Sequence, residues 1–387
     1  MSSAENKIDL DKLIQLRRHL HANPEIANDE KNTAEVLIQH ITRYNPDKII
    51  EGIGGYGIAF IFKSEQPGPT ILIRAELDAL PIIEECELDH KSKNHGISHK
   101  CGHDGHMTIL AGLAAIISEE KLKKGRVIIL FQPAEEIGEG AERIINDEKF
   151  NEIKPDFAFA LHNLPGYPMH EIIIKQNTFA AASIGMKIIL KGKTSHAAHP
   201  EDGISPSMAV AQIIQKFNSL IDTIKNKNLD FGLITIIHVN IGKKAFGTSP
   251  GHAEVYATLR ANSDENLEMI KSDCVQAVKQ ISKDENLKTE IEWTEAFPAT
   301  VNNAEAAGIV KNAARQLNLS VNEIETPFRW TEDFGHFTKT SKAALFGLGA
   351  GTEVPQLHNP DYDFPDELIP SGINMFHQII KQILLED

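Results

Sequence analysis

The sequence predicts an α/β fold in two domains, with a small ferredoxin-like domain inserted into a larger sheet-and-helix domain. Three observations carry this. The chain of 387 residues is long for one compact core. Its first half alternates strand-like apolar runs with helical stretches, the pattern of an α/β layer architecture. After about Asn177 the order becomes β-α-β-β-α-β, the ferredoxin-like arrangement, and from about Pro298 the earlier pattern resumes. The expected boundaries are 1–180 and 297–387 for the two segments of the larger domain, and 181–296 for the insert.

In chain order, Ile8 to His21 has apolar residues at helical spacing and Pro24 closes it; a second helix is expected over Asn32 to Tyr44. Gly52-Ile53-Gly54-Gly55-Tyr56-Gly57 formally matches a dinucleotide-binding fingerprint. That fingerprint needs a helix directly after its glycines, whereas Ile58 to Phe62 reads as a strand, so the glycines are read as turn residues. Buried strands are expected at Ile58 to Phe62, Thr70 to Arg74, Arg126 to Phe131 and Phe157 to Leu161. Helices are expected between them over Met107 to Ser118 and Gly140 to Phe150. In the insert, strands at Met186 to Gly192, Phe231 to Val239, Glu254 to Arg260 and Thr289 to Trp293 alternate with helices over Ser205 to Ile221 and Glu265 to Ile281. The closing segment reads as a helix over Ala304 to Leu317, a short strand at Ala344 to Leu348 and a helix over Ser371 to Leu385.

Hydrophobic residues make up 41% of the chain and charged residues 24%, ordinary for a soluble globular protein. A formal charge of -15 disfavours a nucleic-acid partner, which needs a basic stripe. Met1 to Lys12 is polar and carries no signal-peptide core, and the longest apolar run, near Ile109 to Ile117, falls far short of a membrane span. No membrane partner is therefore expected. Cys86, Cys101 and Cys274 are too few, and odd in number, for a disulfide framework, which points to a reducing cytoplasm.

The chemistry centres on Cys101-Gly102-His103-Asp104-Gly105-His106. A thiolate and an imidazole two residues apart on an extended loop can meet one borderline cation. Two ligands leave a site incomplete, and further candidates follow expected strand ends, where ligands gather in α/β sheets. Glu135 and Glu136 follow Arg126 to Phe131, His162 follows Phe157 to Leu161, and His358 follows Ala344 to Leu348 and a glycine-rich loop. Asp78, beyond the strand holding Arg74, is a further candidate. Each alone has a bland alternative: paired glutamates on a solvated face, a core histidine, a small buried thiol. Adjacent carboxylates suit a metal hydrolase because one can hold the cation while its neighbour takes a proton from activated water. A serine hydrolase would need a Gly-x-Ser-x-Gly elbow and phosphoryl transfer a Walker loop, and the sequence has neither.

Six stretches fall in the order and spacing of a known family. They are Arg74-Ala75-Glu76-Leu77-Asp78-Ala79-Leu80-Pro81, Cys101 to His106, Gln132-Pro133-Ala134-Glu135-Glu136, Leu161-His162-Asn163, Glu332-Asp333-Phe334 and Leu357-His358-Asn359-Pro360. Over nearly its whole length the chain resembles the N-acyl-amino-acid amidohydrolases: hippurate hydrolases, aminoacylase-like enzymes and auxin-conjugate hydrolases, within the dinuclear metallopeptidases. The resemblance implies a catalytic α/β domain with an inserted lid, which allows a homodimer or homotetramer through that lid. It implies two divalent ions per chain (Mn, Zn, Co or Ni) on Cys101, His103, Glu136, His162 and His358, with Glu135 as general base. Lys193-Thr194-Ser195-His196-Ala197-Ala198 matches the lid segment that offers a histidine to the developing oxyanion, so His196 takes that role. The implied reaction is hydrolysis of the amide of a small N-acyl-L-amino acid, N-acetyl or N-benzoyl, by a metal-bridging hydroxide.

Within the opening motif, only Cys101 and His103 are then direct ligands; Asp104 orients the site from behind and His106 opens the following helix. Arg260, on a lid strand, is the candidate for the substrate carboxylate, against the alternative of a solvated strand-end arginine. Three positions depart from the family's usual pattern. Glu76 stands where aspartate is common, Pro200-Glu201 where histidine follows the proline, and Gly247-Thr248-Ser249-Pro250 where Asn-x-Ile-Pro is usual. The last two bear on specificity. The alternatives are a dipeptidase or aminopeptidase of the same metal class, and a non-catalytic metal-binding protein.

Overall fold

The computed structural model describes residues 9–226 and 231–385; the expected helix start at Ile8 lies outside them. Near-continuous apolar runs make strands buried on both faces. Gly57–Lys63, Thr70–Glu76, Arg126–Gln132, Phe157–Leu164 and Lys342–Gly349 are of this kind. They belong to one eight-stranded sheet, in the order Lys48–Ile53, Gly57–Lys63, Arg126–Gln132, Thr70–Glu76, Phe157–Leu164, Lys342–Gly349, Ile172–Ile174, Val321–Glu323. The four strands from Arg126–Gln132 to Lys342–Gly349 run parallel and bring their carboxyl ends to one end of the sheet. One face is covered by the helix His103–Glu119, apolar all round and packed between Leu10–Ala22 and Leu368–Ile380.

The chain divides into two compact units. One holds the described parts of 1–179 and 332–387 together with Thr300–Thr326; the other holds Ala180–Ala299 and Pro327–Thr331. In the second unit four antiparallel strands lie in the order Gly232–Ile241, His252–Ala261, Ala182–Lys191, Lys288–Phe297. Strict alternation along His252–Ala261 turns Ala253, Val255, Ala257, Leu259 and Ala261 inward. There they join Ile213 and Phe217 of the helix Ser207–Asn226, and Ile270 and Cys274 of Asp264–Asp284. This is the ferredoxin-like order, so the expected fold class holds. Pro327–Thr331 groups with this unit, where Phe328 O and Trp330 O accept from Ala181 N at 3.0 and 3.2 Å.

Several local expectations are corrected. Of the glycines expected in the turn, Gly54 and Gly55 lie in it, whereas Gly52 falls in a strand, Lys48–Ile53, whose mixed polar pattern hides it in the sequence, and Gly57 opens the next strand. The helix expected from Met107 begins at His103, because Gly102 takes φ +89° and turns the chain into it. A Cβ at Gly102 would lie 2.6 Å from the Asn163 amide oxygen. His103 is therefore the first residue of a helix rather than part of an extended loop. His162 lies inside its strand, not after it: pairing with Gly347, Leu348 and Gly349 carries Phe157–Leu164 through the polar His162-Asn163 pair. The helix expected over Gly140 to Phe150 stops at Asn146, since Asp147 leaves helical geometry and accepts from Gly54 N at 3.0 Å. A separate turn of helix follows at Phe150–Ile153.

Candidate metal centre and active site

The carboxyl ends of the parallel strands and the first turn of His103–Glu119 deliver the candidate side chains of the larger unit to one place. Cys101 Sγ lies 3.4 Å from His162 Nε2. His103 Nε2 lies 3.9 Å from Glu135 Oε2 and 3.8 Å from Glu136 Oε1, and His358 Nε2 lies 3.8 Å from Glu136 Oε2. Cys101, His103, Glu135 and His162 are buried, whereas the His358 side chain is 52% exposed. Two turns with left-handed non-glycine residues aim the groups. Ala134 has φ 53° and its N donates to Glu30 Oε1 at 2.8 Å, which sets the Glu135-Glu136 turn. His358 has φ 65° and its N donates to Lys100 O at 2.8 Å. Non-glycine residues in that region persist only where surrounding structure enforces them.

The donor set fits divalent cations. His103 Nδ1 donates to Asp78 O at 2.8 Å, which directs Nε2 at the two glutamates. His162 Nδ1 donates to Asn163 O at 2.9 Å, which directs its Nε2 at the thiol. His103 Nε2, Glu136 Oε1 and Asp78 Oδ1 are buried with no hydrogen-bond partner, a costly state for polar atoms and the state of ligand atoms facing an ion. Ligand atoms of Cys101, His103 and His162 lie within 4.8 Å of one another, as do those of Cys101, Glu136 and His358, and those of His103, Glu135 and Glu136. The first two groups share Cys101.

Without a cation, burial disfavours the charged form of each of these groups. Burial, then the facing carboxylates of Glu332 and Glu136, pushes Glu135 well above the usual carboxylate range. Burial and Asp78 do the same to Glu136, and burial pushes Asp78 to about 8. Burial and the neighbouring Glu136 and Glu135 hold the Cys101 thiol well above its ordinary value. Burial holds His103 well below the ordinary imidazole value and His162 at about 3. Divalent charge placed here reverses the logic for the thiol and carboxylates and needs the imidazoles neutral, as burial already makes them.

Next to the site is a buried ionic layer with no signature in the spacing of the sequence. Arg74 pairs with Glu76, with Glu332 at 2.6 Å and with Asp333 at 2.7 Å, and donates to Gln132 at 2.8 Å. Asp333 also accepts from Gln132 Nε2 and from Ala141 N, at 2.8 and 2.9 Å. Glu76 accepts from His106 Nδ1 at 2.7 Å, and His106 Nε2 accepts from Asn163 N at 3.2 Å. The motifs holding Arg74, Glu76 and Glu332-Asp333 were visible in the sequence; their joining in one layer across the sheet was not.

The side-chain partners of Asp104 lie outside the candidate ligand set. Its carboxylate takes Arg17 Nη1 at 3.1 Å and His21 Nδ1 at 2.9 Å, while His21 Nε2 meets Glu84 Oε1 at 2.9 Å. Burial opposes a charged His21, but hydrogen bonds to Asp104 and Glu84 prevail and raise it from 6.5 to about 9. Burial likewise opposes a charged Glu84, yet His21 and Lys100 lower it from 4.5 to about 2. The imidazolium contribution is complete below pH 6.5 and lost as pH rises through about 9; the Glu84 contribution is complete above 4.5 and lost as pH falls through about 2. Urea unfolding is therefore expected to show an alkaline loss of roughly 3 kcal/mol between pH 6.5 and 9 that is smaller in His21→Gln. An identical alkaline limb in both proteins contradicts this.

His196 and Arg260 lie in the second unit. His196 is exposed on a two-residue strand paired with Thr248–Ser249, and its Nδ1 accepts from Ala198 N at 3.0 Å. Arg260 is half-buried on His252–Ala261 and donates from Nη1 to Arg329 O at 2.9 Å.

A sulfur, three imidazoles and two adjacent carboxylates at strand carboxyl ends define a class: metal-dependent hydrolases with a carboxylate beside the ligand set. Residues 72–382 match the sequence pattern of Peptidase family M20/M25/M40, and the chain belongs to that family. The N-acetyl-L-cysteine deacetylase of Bacillus subtilis (strain 168) is 30% identical over 376 residues, 96% of this chain and 88% of that protein. The hippurate hydrolase of Campylobacter jejuni is 29% identical over 377 residues, 96% of each chain. Among solved structures, the YXEP protein of Bacillus subtilis, described as a dinuclear metal-binding peptidase of the M20 family, superposes with a TM-score of 0.81. It is 25% identical and the match covers 97% of this chain and 98% of that one. Among the described residues, no helix is long and apolar enough to cross a membrane.

Proposed function

We propose that this chain is a metal-dependent amidohydrolase that cleaves the amide of small N-acyl-L-amino acids. The observation that carries this reading is the pair of ligand triads sharing Cys101, with Glu135 beside them. Full-length similarity to a deacetylase and a hippurate hydrolase supports the substrate class. Cys101, His103, Glu136, His162 and His358 would hold two divalent ions, of which Mn, Zn, Co and Ni suit the mixed sulfur, nitrogen and oxygen donors. When bound, the ions polarise the acyl carbonyl and lower the pKa of water from near 16 to roughly 7.

The protein's own groups do the rest. Glu135 takes a proton from the attacking water and hands it to the departing amine nitrogen, so the C–N bond breaks without releasing an amide anion. His196 donates to the developing oxyanion, and Arg260 pairs with the substrate's α-carboxylate. The working form is a cytoplasmic homodimer or homotetramer. Three free cysteines support the compartment, and exposed Met208 and Ile237 in the second unit support assembly through it.

Hydrolysis of N-acetyl- and N-benzoyl-amino acids, compared with dipeptides carrying a free α-amine, tests the substrate class. N-acyl substrates are expected to show kcat/KM roughly 10-fold or more higher. The reverse preference would favour the dipeptidase or aminopeptidase reading. No turnover with any of the four metals would favour a non-catalytic metal-binding protein.

A further inference from the structure

We propose that Lys100 is a positioning residue that grips the His358 arm at two points and thereby sets the occupancy of one of the two ion sites. The inference rests on the two-ion reading above.

Lys100 is fully buried, directly before Cys101. Its main-chain oxygen accepts from His358 N at 2.8 Å. Its ammonium donates to Tyr362 O at 2.7 Å and to Glu84 Oε1 at 2.6 Å. One residue therefore holds both ends of the stretch from His358 to Tyr362. The segment around Glu84 adds to this hold: Glu85 N donates to Pro360 O at 2.9 Å, between the two grips. A buried ammonium is costly unless paired and fully hydrogen-bonded. Glu84 supplies the pairing here, and its other oxygen accepts from Ser92 N at 2.7 Å.

The arm has other anchors, in the buried Tyr362 hydroxyl that accepts from Asn163 Nδ2 at 2.5 Å and in Cys86 Sγ on Pro360 O at 3.7 Å, but these lie beyond His358 itself. Its side chain is half in solvent, its φ is 65°, and its Nε2 lies 3.8 Å from Glu136 Oε2. The other ligand histidines are differently built. His103 starts a buried 17-residue helix and His162 sits within a buried strand, each with its ring fixed by a carbonyl. Loss of the ammonium grip, with the main-chain grip kept, should therefore weaken the triad of Cys101, Glu136 and His358 and spare that of Cys101, His103 and His162.

The experiment titrates metal-stripped full-length protein with Zn²⁺ by calorimetry and counts zinc retained after gel filtration. Lys100→Met and Glu84→Gln are compared with the unsubstituted chain, with thermal melts establishing that each is folded. The unsubstituted chain is expected to take two ions. Lys100→Met should keep one tight ion and bind the second about 10–100-fold more weakly, the usual cost of losing a group that orients a ligand. Glu84→Gln, which retains the ammonium but loses its charge partner, should move the second ion in the same direction by less, and remains informative if Lys100→Met does not fold. Two ions of unchanged affinity in the folded variants, or equal loss of both ions, overturns the role of Lys100. Fewer than two ions in the unsubstituted chain overturns the two-ion reading, and this inference with it.

Discussion

Glu135→Gln is expected to lower kcat by roughly 10²–10⁴-fold while leaving both ions in place, the range general acid–base groups contribute. Glu135 is buried, its Oε2 stands 3.9 Å from His103 Nε2, and it neighbours the proposed ligand Glu136 without belonging to either triad that shares Cys101. Glutamine preserves size while removing the oxygen that takes a proton and the charge that goes with it. Steady-state kinetics with metal content measured on the same sample separates the outcomes. Loss of metal in parallel with activity would make Glu135 a ligand instead of a base, and near-normal turnover would remove it from the reaction.

Cys101→Ala is expected to act on the metal first. Its sulfur is common to both triads, so its loss should weaken both ions by more than the roughly 10–100-fold attributed to an orienting group. The thiol is also held well above its ordinary pKa by burial and by Glu136 and Glu135. A thiol must give up its proton to ligate, so metal affinity should fall as pH falls, and ion uptake should release protons into an unbuffered solution. Calorimetric titration in two buffers of different ionisation enthalpy measures that release. Full occupancy in Cys101→Ala, or uptake without proton release, would take Cys101 out of the ligand set.

Much of this centre could be read from the chain because its parts are local. Cys101 and His103 are two residues apart, Glu135 and Glu136 are adjacent, and apolar runs mark the strands that end near them. The parallel sheet then gathers those ends by topology alone. What the sequence hid was of two kinds. Polar residues at element boundaries masked where elements begin and end: His103 lies inside a helix and His162 inside a strand because Gly102 turns the chain and the Gly347–Gly349 pairing extends the ladder. Long-range charge pairing left no periodic trace. Nothing in the spacing of Arg74 and Glu332, or of Lys100 and Tyr362, announces contacts at 2.6 and 2.7 Å. Asp104, fourth in the Cys101–His106 stretch, pairs instead with Arg17 and His21, which lie more than 80 residues away in sequence.

The most direct test of the two-ion amidohydrolase is a reloading titration of metal-stripped protein, with hydrolysis of N-acetyl- and N-benzoyl-amino acids followed as Mn²⁺, Zn²⁺, Co²⁺ or Ni²⁺ is added. Activity should be negligible in the stripped protein and rise with added ion to a plateau at two equivalents per chain for at least one metal. Turnover that persists without metal, or a plateau at two bound ions with no hydrolysis of any N-acyl substrate, would contradict it.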